Sequence, residues 1–277
     1  MRKVWSALAG AAVIALAVAG VASAVNTYEV HVASSKPTKK GSKAKPIPAS
    51  LNFGYRVGET ENLRPLVIEQ YFIAAEGLQT FPKARPTCTF EEATDPNVTS
   101  PSALSRKCKR AIVGSGTIDN NAGAPNDRTQ KLECDVFLTL INISTGDPRY
   151  PKTVSQIRRR GGIGIRIDTR LPEGSRCPIP VHEALAAPYY DVKIDGISSA
   201  ELRFTVPPTL AHPGGLDNAV VETTSSIRKL TGKVRIRGKR RTVGFYSLVG
   251  RKGRTRTTRV TFVDEAGNRE TATTTSP

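Results

Sequence analysis

Hydrophobic and polar residues alternate along several short stretches of this chain, as they do in β-strands that bury one face. The clearest stretch is Leu132–Ile141, in which every second residue falls on one apolar face. That face consists of Leu132, Cys134, Val136, Leu138 and Leu140. Because Phe137 and Ile141 lie on the opposite face, we expect both sides of this strand to be covered.

Similar stretches recur about every ten residues between turn-forming residues, and this spacing is typical of an all-β sandwich or barrel. We predict an antiparallel β-sandwich of the jelly-roll or immunoglobulin-like type. Few short helices are expected, one around His182–Ala187 and others within residues 86–110. The further predicted strands are Tyr28–Val32, Leu51–Val57, Leu66–Ile73, Ala111–Ile118, Gly162–Asp168, Tyr189–Ile194, Leu202–Val206, Ala219–Ile227, Lys233–Arg237, Thr242–Val249 and Thr257–Val263.

The amino-terminal residues 1–24 have the features of a secretory signal peptide. Arg2 and Lys3 precede an apolar run, Val4–Val21, and the small residues of Ala22–Ala24 follow it. An uncleaved membrane anchor is the alternative, although the run is barely long enough to span a bilayer. No second long apolar stretch follows. We therefore expect a secreted or cell-surface protein without a membrane span after cleavage.

Two parts are expected beyond the signal peptide. Residues 25–48 comprise a strand and a loop, Ser34–Pro48, that contains five lysines and no acidic residue. Residues 49–277 form the predicted sandwich domain, with a sub-boundary near 207–216. The hydrophobic content of 38% is too high for a disordered chain, so a folded domain is expected.

The four cysteines, Cys88, Cys108, Cys134 and Cys177, indicate disulfides, because an even number is typical of exported chains. Three pairings are available. We favour Cys88–Cys108 and Cys134–Cys177, since each would close a local loop. A zinc site is the alternative, but the closely spaced cysteine pairs of such sites are missing. We expect neither a metal nor another cofactor.

Positive charge is concentrated near the carboxyl end of a chain whose formal net charge is +17. Residues 223–263 contain thirteen basic residues and no acidic residue. In Lys233–Arg237 the cations alternate with β-branched residues, so they should share a solvent face. We expect the following residues to form a binding surface for polyanions: Lys233, Arg235, Arg237, Lys239, Arg240, Arg241, Arg251, Lys252, Arg254 and Arg256.

The expected partner is an anionic cell-wall polymer or polysaccharide, to which the lysine-rich loop Ser34–Pro48 would add a second contact. Nucleic acid is disfavoured, because only Phe245 and Tyr246 interleave with the cations and a base-stacking platform needs more aromatic residues. The alternative is that the charge only keeps the protein soluble and protects edge strands. In that case the protein is a structural surface component without a ligand.

Catalytic motifs are missing from the sequence, so we expect a non-enzymatic protein and assign no catalytic residue. His182 and His212 are candidates for a Ser–His–Asp arrangement, and an extracellular hydrolase that uses one of them is the alternative function. No serine lies in a G-x-S-x-G turn, which is the usual setting of such a nucleophile. A structural role in turns is the competing interpretation for both histidines.

Several motifs together resemble uncharacterised secreted proteins of soil actinobacteria, and the likeness spans most of residues 34–265. It implies export and a β-rich fold, but it carries no known activity and therefore no catalytic residue. Where a proline often follows the second cysteine of those proteins, this chain has Lys109. The matching residues are Pro37–Gly41, Pro86–Cys88, Cys108, Val113–Thr117, Phe204–Pro208, Leu210, His212, Pro213 and Gly215–Val220.

The last predicted hairpin resembles the terminal hairpin of bacterial immunoglobulin-like modules. Val260–Val263 leads into the turn Asp264–Asn268, and Arg269–Thr274 returns from it. An acidic residue that opens the turn and a glycine near its end favour a short hairpin with a bulge. The resemblance implies a β-hairpin at this position and assigns no function to it.

Overall fold

The structure is a computed structural model that describes residues 26–34, 40–59, 61–95, 97–98, 100–169, 177, 180–250 and 255–276. The described residues form sixteen β-strands. These strands are β1 (Asn26–Ser34), β2 (Ile47–Ala49), β3 (Leu51–Glu59), β4 (Ile68–Ala75), β5 (Leu78–Thr80), β6 (Ile112–Gly123), β7 (Leu132–Ile143), β8 (Gly162–Thr169), β9 (His182–Ile194), β10 (Ile197–Thr205), β11 (Asp217–Ile227), β12 (Thr231–Ile236), β13 (Lys239–Gly244), β14 (Tyr246–Leu248), β15 (Arg256–Asp264) and β16 (Arg269–Ser276).

Eleven of these strands form one antiparallel sheet in the order β1-β3-β11-β6-β7-β8-β9-β10-β4-β15-β16. The first and last strands of this order, β1 and β16, lie side by side, so the sheet is nearly closed and barrel-like. We call the junction between them the seam. Near the seam, Tyr28 of β1 stacks on Phe262 of β15, with ring centroids 4.1 Å apart. The predicted all-β, antiparallel class with few short helices is confirmed.

Alternation of side chains explains how the sheet forms one core. On β7 and β8 the residues at every second position point inward and are buried, namely Val136, Leu138, Leu140, Ile163, Ile165 and Ile167. The outward face of β7 is covered at one end only. Ile141 is fully buried there, whereas Phe137 remains 39% exposed. The expected cover on both faces therefore holds for the carboxyl end of this strand.

Two smaller sheets accompany the large one. Strands β2, β14 and β5 form a three-stranded sheet, and its Tyr246 and Leu248 join the inner core. Strands β12 and β13 form a separate two-stranded hairpin. Because β13 runs through Phe245 directly into β14, the hairpin is anchored to the three-stranded sheet.

Helices are short and lie outside the large sheet. They are α1 (Phe90–Ala93), α2 (Arg106–Ala111), α3 (Pro151–Arg160) and α4 (Pro208–Ala211), with 3₁₀ turns at Pro82–Ala84, Pro101–Ala103 and Pro213–Gly215.

The prediction of a helix around His182–Ala187 is wrong, because these residues begin β9. Pairing with β8 on one side and β10 on the other overrides the helical propensity of the alanines. The longest helix, α3, was not predicted. Its proline at the first position and its arginines Arg158–Arg160 at the last turn are favourable helix ends.

Both predicted disulfides are present. Cys88–Cys108 and Cys134–Cys177 have Cα–Cα distances of 4.9 Å and 3.9 Å. The first one closes a loop that packs Phe90 and Leu104 against the outward residues Ile141 and Ile143 of β7. Disulfide bonding of all four cysteines also removes the thiolates that the zinc alternative needs.

The predicted amino-terminal strand is part of the large sheet, since β1 pairs with β3 along its whole length. Two predicted segments lie outside the described residues, namely the signal peptide, residues 1–24, and residues 35–39 in the first part of the lysine-rich loop. The predicted sub-boundary at 207–216 corresponds to the segment that carries α4, whose Leu210 packs into the inner core. Among the described helices, none has the length and apolarity that a membrane crossing requires.

Candidate functional site

The interior of the barrel-like sheet contains an apolar cavity of about 140 Å³. Inward residues from ten of the eleven large-sheet strands line it, together with residues of the three-stranded sheet and of α4. None of the lining residues that the structure describes is Asp, Glu, Lys, Arg or His. The cavity therefore suits an uncharged occupant, because an ion buried there would have no counter-charge.

Residues outside the large sheet also line the cavity. Tyr246 and Leu78 come from the three-stranded sheet, and Leu210 comes from α4, close in sequence to Val206. Tyr246, Leu78 and Leu210 are buried members of the inner core. The cavity is therefore lined by core side chains.

A β-bulge sets which residues of β11 face the cavity. The pairing register of β11 with β6 shifts between Val220 and Glu222, which inserts one residue and changes the alternation. As a result Asn218 and Val220, before the bulge, and Thr223 and Ser225, after it, all line the cavity. The bulge thereby gives one wall of the cavity several polar side chains.

Four tyrosines in the cavity wall form two hydroxyl pairs. Tyr55 Oη donates a hydrogen bond to Tyr71 Oη at 2.9 Å, and the Tyr189 and Tyr246 hydroxyls are also 2.9 Å apart. Burial raises the pKa of Tyr55 and of Tyr246 to about 12. Burial also raises the pKa of Tyr71 and of Tyr189 well above the ordinary value of a tyrosine. All four hydroxyls therefore stay neutral at physiological pH.

The predicted cationic surface is gathered, in part, on one exposed hairpin. Strands β12 and β13 carry Lys233, Arg235, Lys239, Arg240 and Arg241, and Arg237 occupies the turn between them. Positive φ angles at Arg237 (49°) and Gly238 (77°) make this a tight two-residue turn. Five of the six cations are exposed and Arg241 is partly exposed. We call these six residues the basic hairpin.

Strand register places cations on both faces of the basic hairpin. Arg235 lies opposite Arg240 and therefore on the same face, as does Lys233. Lys239 and Arg241 lie on the other face. In the described part of the chain, no acidic residue forms an ion pair with any of the six. Like charges directly opposite each other are destabilising, so a bound anion would relieve repulsion here.

The remaining members of the predicted surface lie elsewhere. Arg256 is only 3% exposed, because its guanidinium donates to the carbonyl oxygens of Glu76 and Val249 at 3.0 and 2.9 Å. Its strand, β15, belongs to the large sheet and does not neighbour β12 or β13. Arg256 is thus corrected from a surface residue to a buried structural one. Arg251, Lys252 and Arg254 lie outside the described residues.

The two candidate histidines each end a chain of buried charges. His182 Nδ1 is 3.1 Å from Asp168 Oδ1, and Arg166 donates to both oxygens of Asp168 at 2.9 Å. In the same way, His212 Nδ1 is 3.0 Å from Asp217 Oδ1, and Arg64 binds Asp217 Oδ2 at 2.7 Å. Both arginines are 1% exposed. We call these chains the two Arg–Asp–His networks.

These networks supply only part of a hydrolytic site. Both histidines line one shallow surface cleft together with Glu183 and Thr209. Within the described part of the chain, neither imidazole hydrogen-bonds to a serine or a cysteine. Because each aspartate is already neutralised by an arginine, the networks are explained as structural ties. Among the described residues, the hydrolase alternative therefore gains carboxylate partners for the histidines but no serine or cysteine partner.

His212, Asp217 and Glu265 also bring three potential metal-ligand atoms within 4.8 Å of one another. Protein hydrogen bonds account for these groups, because Asp217 binds His212 and Arg64, and Glu265 Oε1 accepts from the backbone nitrogen of Val67 at 3.0 Å. Burial raises the pKa of Glu265, which makes its carboxylate a poorer ligand at low pH. We assign no metal to this group.

No family model, curated protein or solved structure matches this chain. The assignment of a site therefore depends on the chemistry of its own residues. Sequence reasoning identified the cations of the basic hairpin from their spacing, but it did not identify the cavity. The available signal was the run of inward polar residues on β11, Asn218, Thr223 and Ser225, which interrupts an otherwise apolar inner face.

Proposed function

We propose that this protein binds a small, neutral, lipophilic molecule inside its barrel-like sheet. The observation that carries the proposal is the interior cavity of about 140 Å³, whose described lining residues carry no charge. An apolar protein cavity of roughly 150 Å³ is large enough to take up benzene. The expected ligand is therefore a single ring or a short chain of similar volume.

An export pathway fits this proposal. The leader-like residues 1–24 and two disulfides support a location outside the cytoplasm, where disulfides persist. The resemblance to uncharacterised secreted proteins of soil actinobacteria agrees with such a location and adds no activity. We therefore propose a secreted or cell-surface binding protein rather than an enzyme.

Filling the cavity from within the protein is expected to abolish ligand binding. Ala200 lines the cavity and is 5% exposed, so Ala200→Phe places a phenyl ring where the ligand would lie. Toluene at ten times its Kd is expected to stabilise the wild type by about 1.4 kcal/mol, which raises its Tm by roughly 3–6 °C. The Tm of Ala200→Phe should not respond. Thermal unfolding with and without toluene measures both.

Ala33→Phe is the matched control, because Ala33 lies on the exposed side of β1. Its response to toluene should equal that of the wild type. The proposal is wrong if toluene raises the Tm of Ala200→Phe as much as that of the wild type, or if a panel of benzene-sized ligands raises neither.

A second function, polyanion binding by the basic hairpin, is favoured by one specific observation. Six cations lie within the hairpin, and no carboxylate in the described residues pairs with them. Contacts between such cations and phosphate or sulfate groups release counterions, so binding should weaken steeply with salt. We propose an anionic cell-wall polymer or polysaccharide as the partner, since the hairpin itself carries no aromatic residue for base stacking.

Neutralising one face of the basic hairpin is expected to weaken polyanion binding. In the triple variant Lys233→Gln, Arg235→Gln, Arg240→Gln, elution from immobilised heparin should shift to lower salt. In a plot of log K against the logarithm of the salt concentration, the slope should become less steep by about 3. Each lost cation lowers the magnitude of the slope by about 1. Salt-gradient elution and titration at several salt concentrations measure these changes.

A control variant removes the same charge elsewhere. Arg106, Lys109 and Arg110 are exposed on α2, and their replacement by glutamine should shift elution much less. Equal shifts in the two triple variants would mean that net charge, and not the hairpin, determines retention. That result would defeat the second proposal and leave the first untouched.

A further inference from the structure

Buried polar atoms without partners occur inside the cavity. Most buried polar side-chain atoms in proteins have a hydrogen-bond partner, so each exception calls for an explanation. In the described part of the chain, the unpartnered buried atoms that line the cavity are Asn120 Oδ1, Asn218 Oδ1 and Thr223 Oγ1. Thr223 lies beside the Tyr55 hydroxyl. The clearest atoms without a hydrogen-bond partner are therefore the amide oxygens of Asn120 and Asn218.

The two asparagines lie on neighbouring strands and face the same space. Asn120 of β6 pairs with Val220 of β11, and Asn218 lies two residues from Val220 on that strand. Such diagonal neighbours have Cα atoms roughly 7–8 Å apart. Asn120 is 5% exposed. Asn218 is held in place, because its Nδ2 donates to the Leu210 carbonyl at 3.1 Å.

An amide oxygen is a hydrogen-bond acceptor only, so the missing group must donate a hydrogen. A carboxylate ligand has no hydrogen to donate at neutral pH, and its charge would have no partner in this wall. An ammonium ligand would also be an unpaired ion. A pure hydrocarbon would leave both oxygens unsatisfied. A hydroxyl group donates a hydrogen without carrying a charge, and it therefore fits this cavity.

The tyrosine pairs add hydrogen-bond donors to the wall of the same cavity. Because Tyr55 donates to Tyr71, the hydrogen of the Tyr71 hydroxyl has no acceptor among the described residues. In the Tyr189–Tyr246 pair one hydroxyl donates to the other, so the hydrogen of the second hydroxyl also has no acceptor among the described residues. A hydroxyl group both donates and accepts. The cavity wall offers acceptors for its hydrogen and donors for its oxygen.

We infer that the ligand of the cavity is a neutral lipophilic alcohol whose hydroxyl donates to Asn120 Oδ1. This inference rests on the proposed function, since it specifies the ligand class of the same cavity. Asn120 is a binding residue here. Asn218 offers the second acceptor on the same wall.

The test compares three ligands with one benzene ring each. Benzyl alcohol can donate a hydrogen, its isomer anisole is an ether that can only accept one, and toluene can do neither. In the wild type, benzyl alcohol should bind about 3- to 10-fold more tightly than the ether, as expected for one net hydrogen bond. In Asn120→Leu this preference should disappear, while toluene binding is kept or improved. Calorimetric titration gives the six dissociation constants.

The comparison of ligands on the wild type keeps the test independent of how well the variant folds. If toluene binds but the alcohol has no advantage over the ether, the inference is overturned and the proposed function stands. The inference is also overturned if the advantage persists in Asn120→Leu, because an acceptor other than Asn120 would then receive the hydrogen of the ligand. If none of the three ligands binds, the proposed function itself fails. Thermal unfolding of Asn120→Leu confirms that the titrated variant is folded.

Discussion

Asp168→Asn is expected to lower the free energy of unfolding by about 3–5 kcal/mol. The substitution keeps the shape of the side chain but removes the negative charge that Arg166 contacts through two hydrogen bonds of 2.9 Å. Arg166 is 1% exposed, so its charge would be left in the protein interior without a counter-charge. Urea denaturation measures the loss, and the Tm should fall by roughly 6–20 °C.

The same arginine also ties the Cys88–Cys108 loop to the sheet, because it donates to the carbonyl oxygens of Ala93 and Val98. Loss of its partner should therefore loosen that loop first, which hydrogen exchange at α1 and α2 can detect.

Asp191→Asn provides the control for this prediction. Asp191 also pairs with an arginine, Arg160, but their side chains are 60% and 41% exposed. An exposed pair contributes about 0–1 kcal/mol. If Asp168→Asn destabilises the protein no more than Asp191→Asn does, the buried Arg–Asp–His network has no role in stability. A double variant, Arg166→Met with Asp168→Leu, should recover part of the loss, because neither charge is then left alone.

Removal of the Cys134–Cys177 disulfide is expected to cost about 4 kcal/mol. The two cysteines are 43 residues apart, so the bond restricts a long loop of the unfolded chain. Cys134 is also 3% exposed and belongs to the inner core, and alanine would leave a small gap there. The double variant Cys134→Ala, Cys177→Ala should unfold at a lower urea concentration than the wild type under oxidising conditions.

Reduction offers an independent check on the disulfides. Dithiothreitol should destabilise the wild type, and it should leave a variant with all four cysteines replaced by alanine unchanged. The prediction fails if the Cys134→Ala, Cys177→Ala variant has the urea midpoint of the oxidised wild type.

Local sequence patterns predicted those parts of this fold that depend on neighbours along the chain. Strict alternation located β7 and β8, and short sequence separations led to the correct cysteine pairs. The same alternation predicted that the cations of the basic hairpin face the solvent. These features share a local origin, since the pleat of a strand and the closure of a short loop involve few residues.

Long-range contacts account for the differences between the predicted and the observed structure. The run from His182 to Ala187 is rich in alanine, yet two flanking strands make it β9. Arg256 follows the alternation of an exposed cation, but the carbonyl oxygens of Glu76 and Val249 hold it inside. The cavity was also missed. Alternation shows which residues point inward, while the distance between the walls depends on how the strand order brings β1 and β16 together.

All neighbouring strands in the order of the large sheet are joined by ladders of backbone hydrogen bonds. Strands β1 and β16 are different, because they lie side by side without such a ladder in the described part of the chain. Parting any two paired strands would break a row of amide–carbonyl bonds, but spreading these two would break no such row. The two edges of the sheet should therefore separate most easily at the seam. The circumference of the barrel can change there at the lowest cost in free energy.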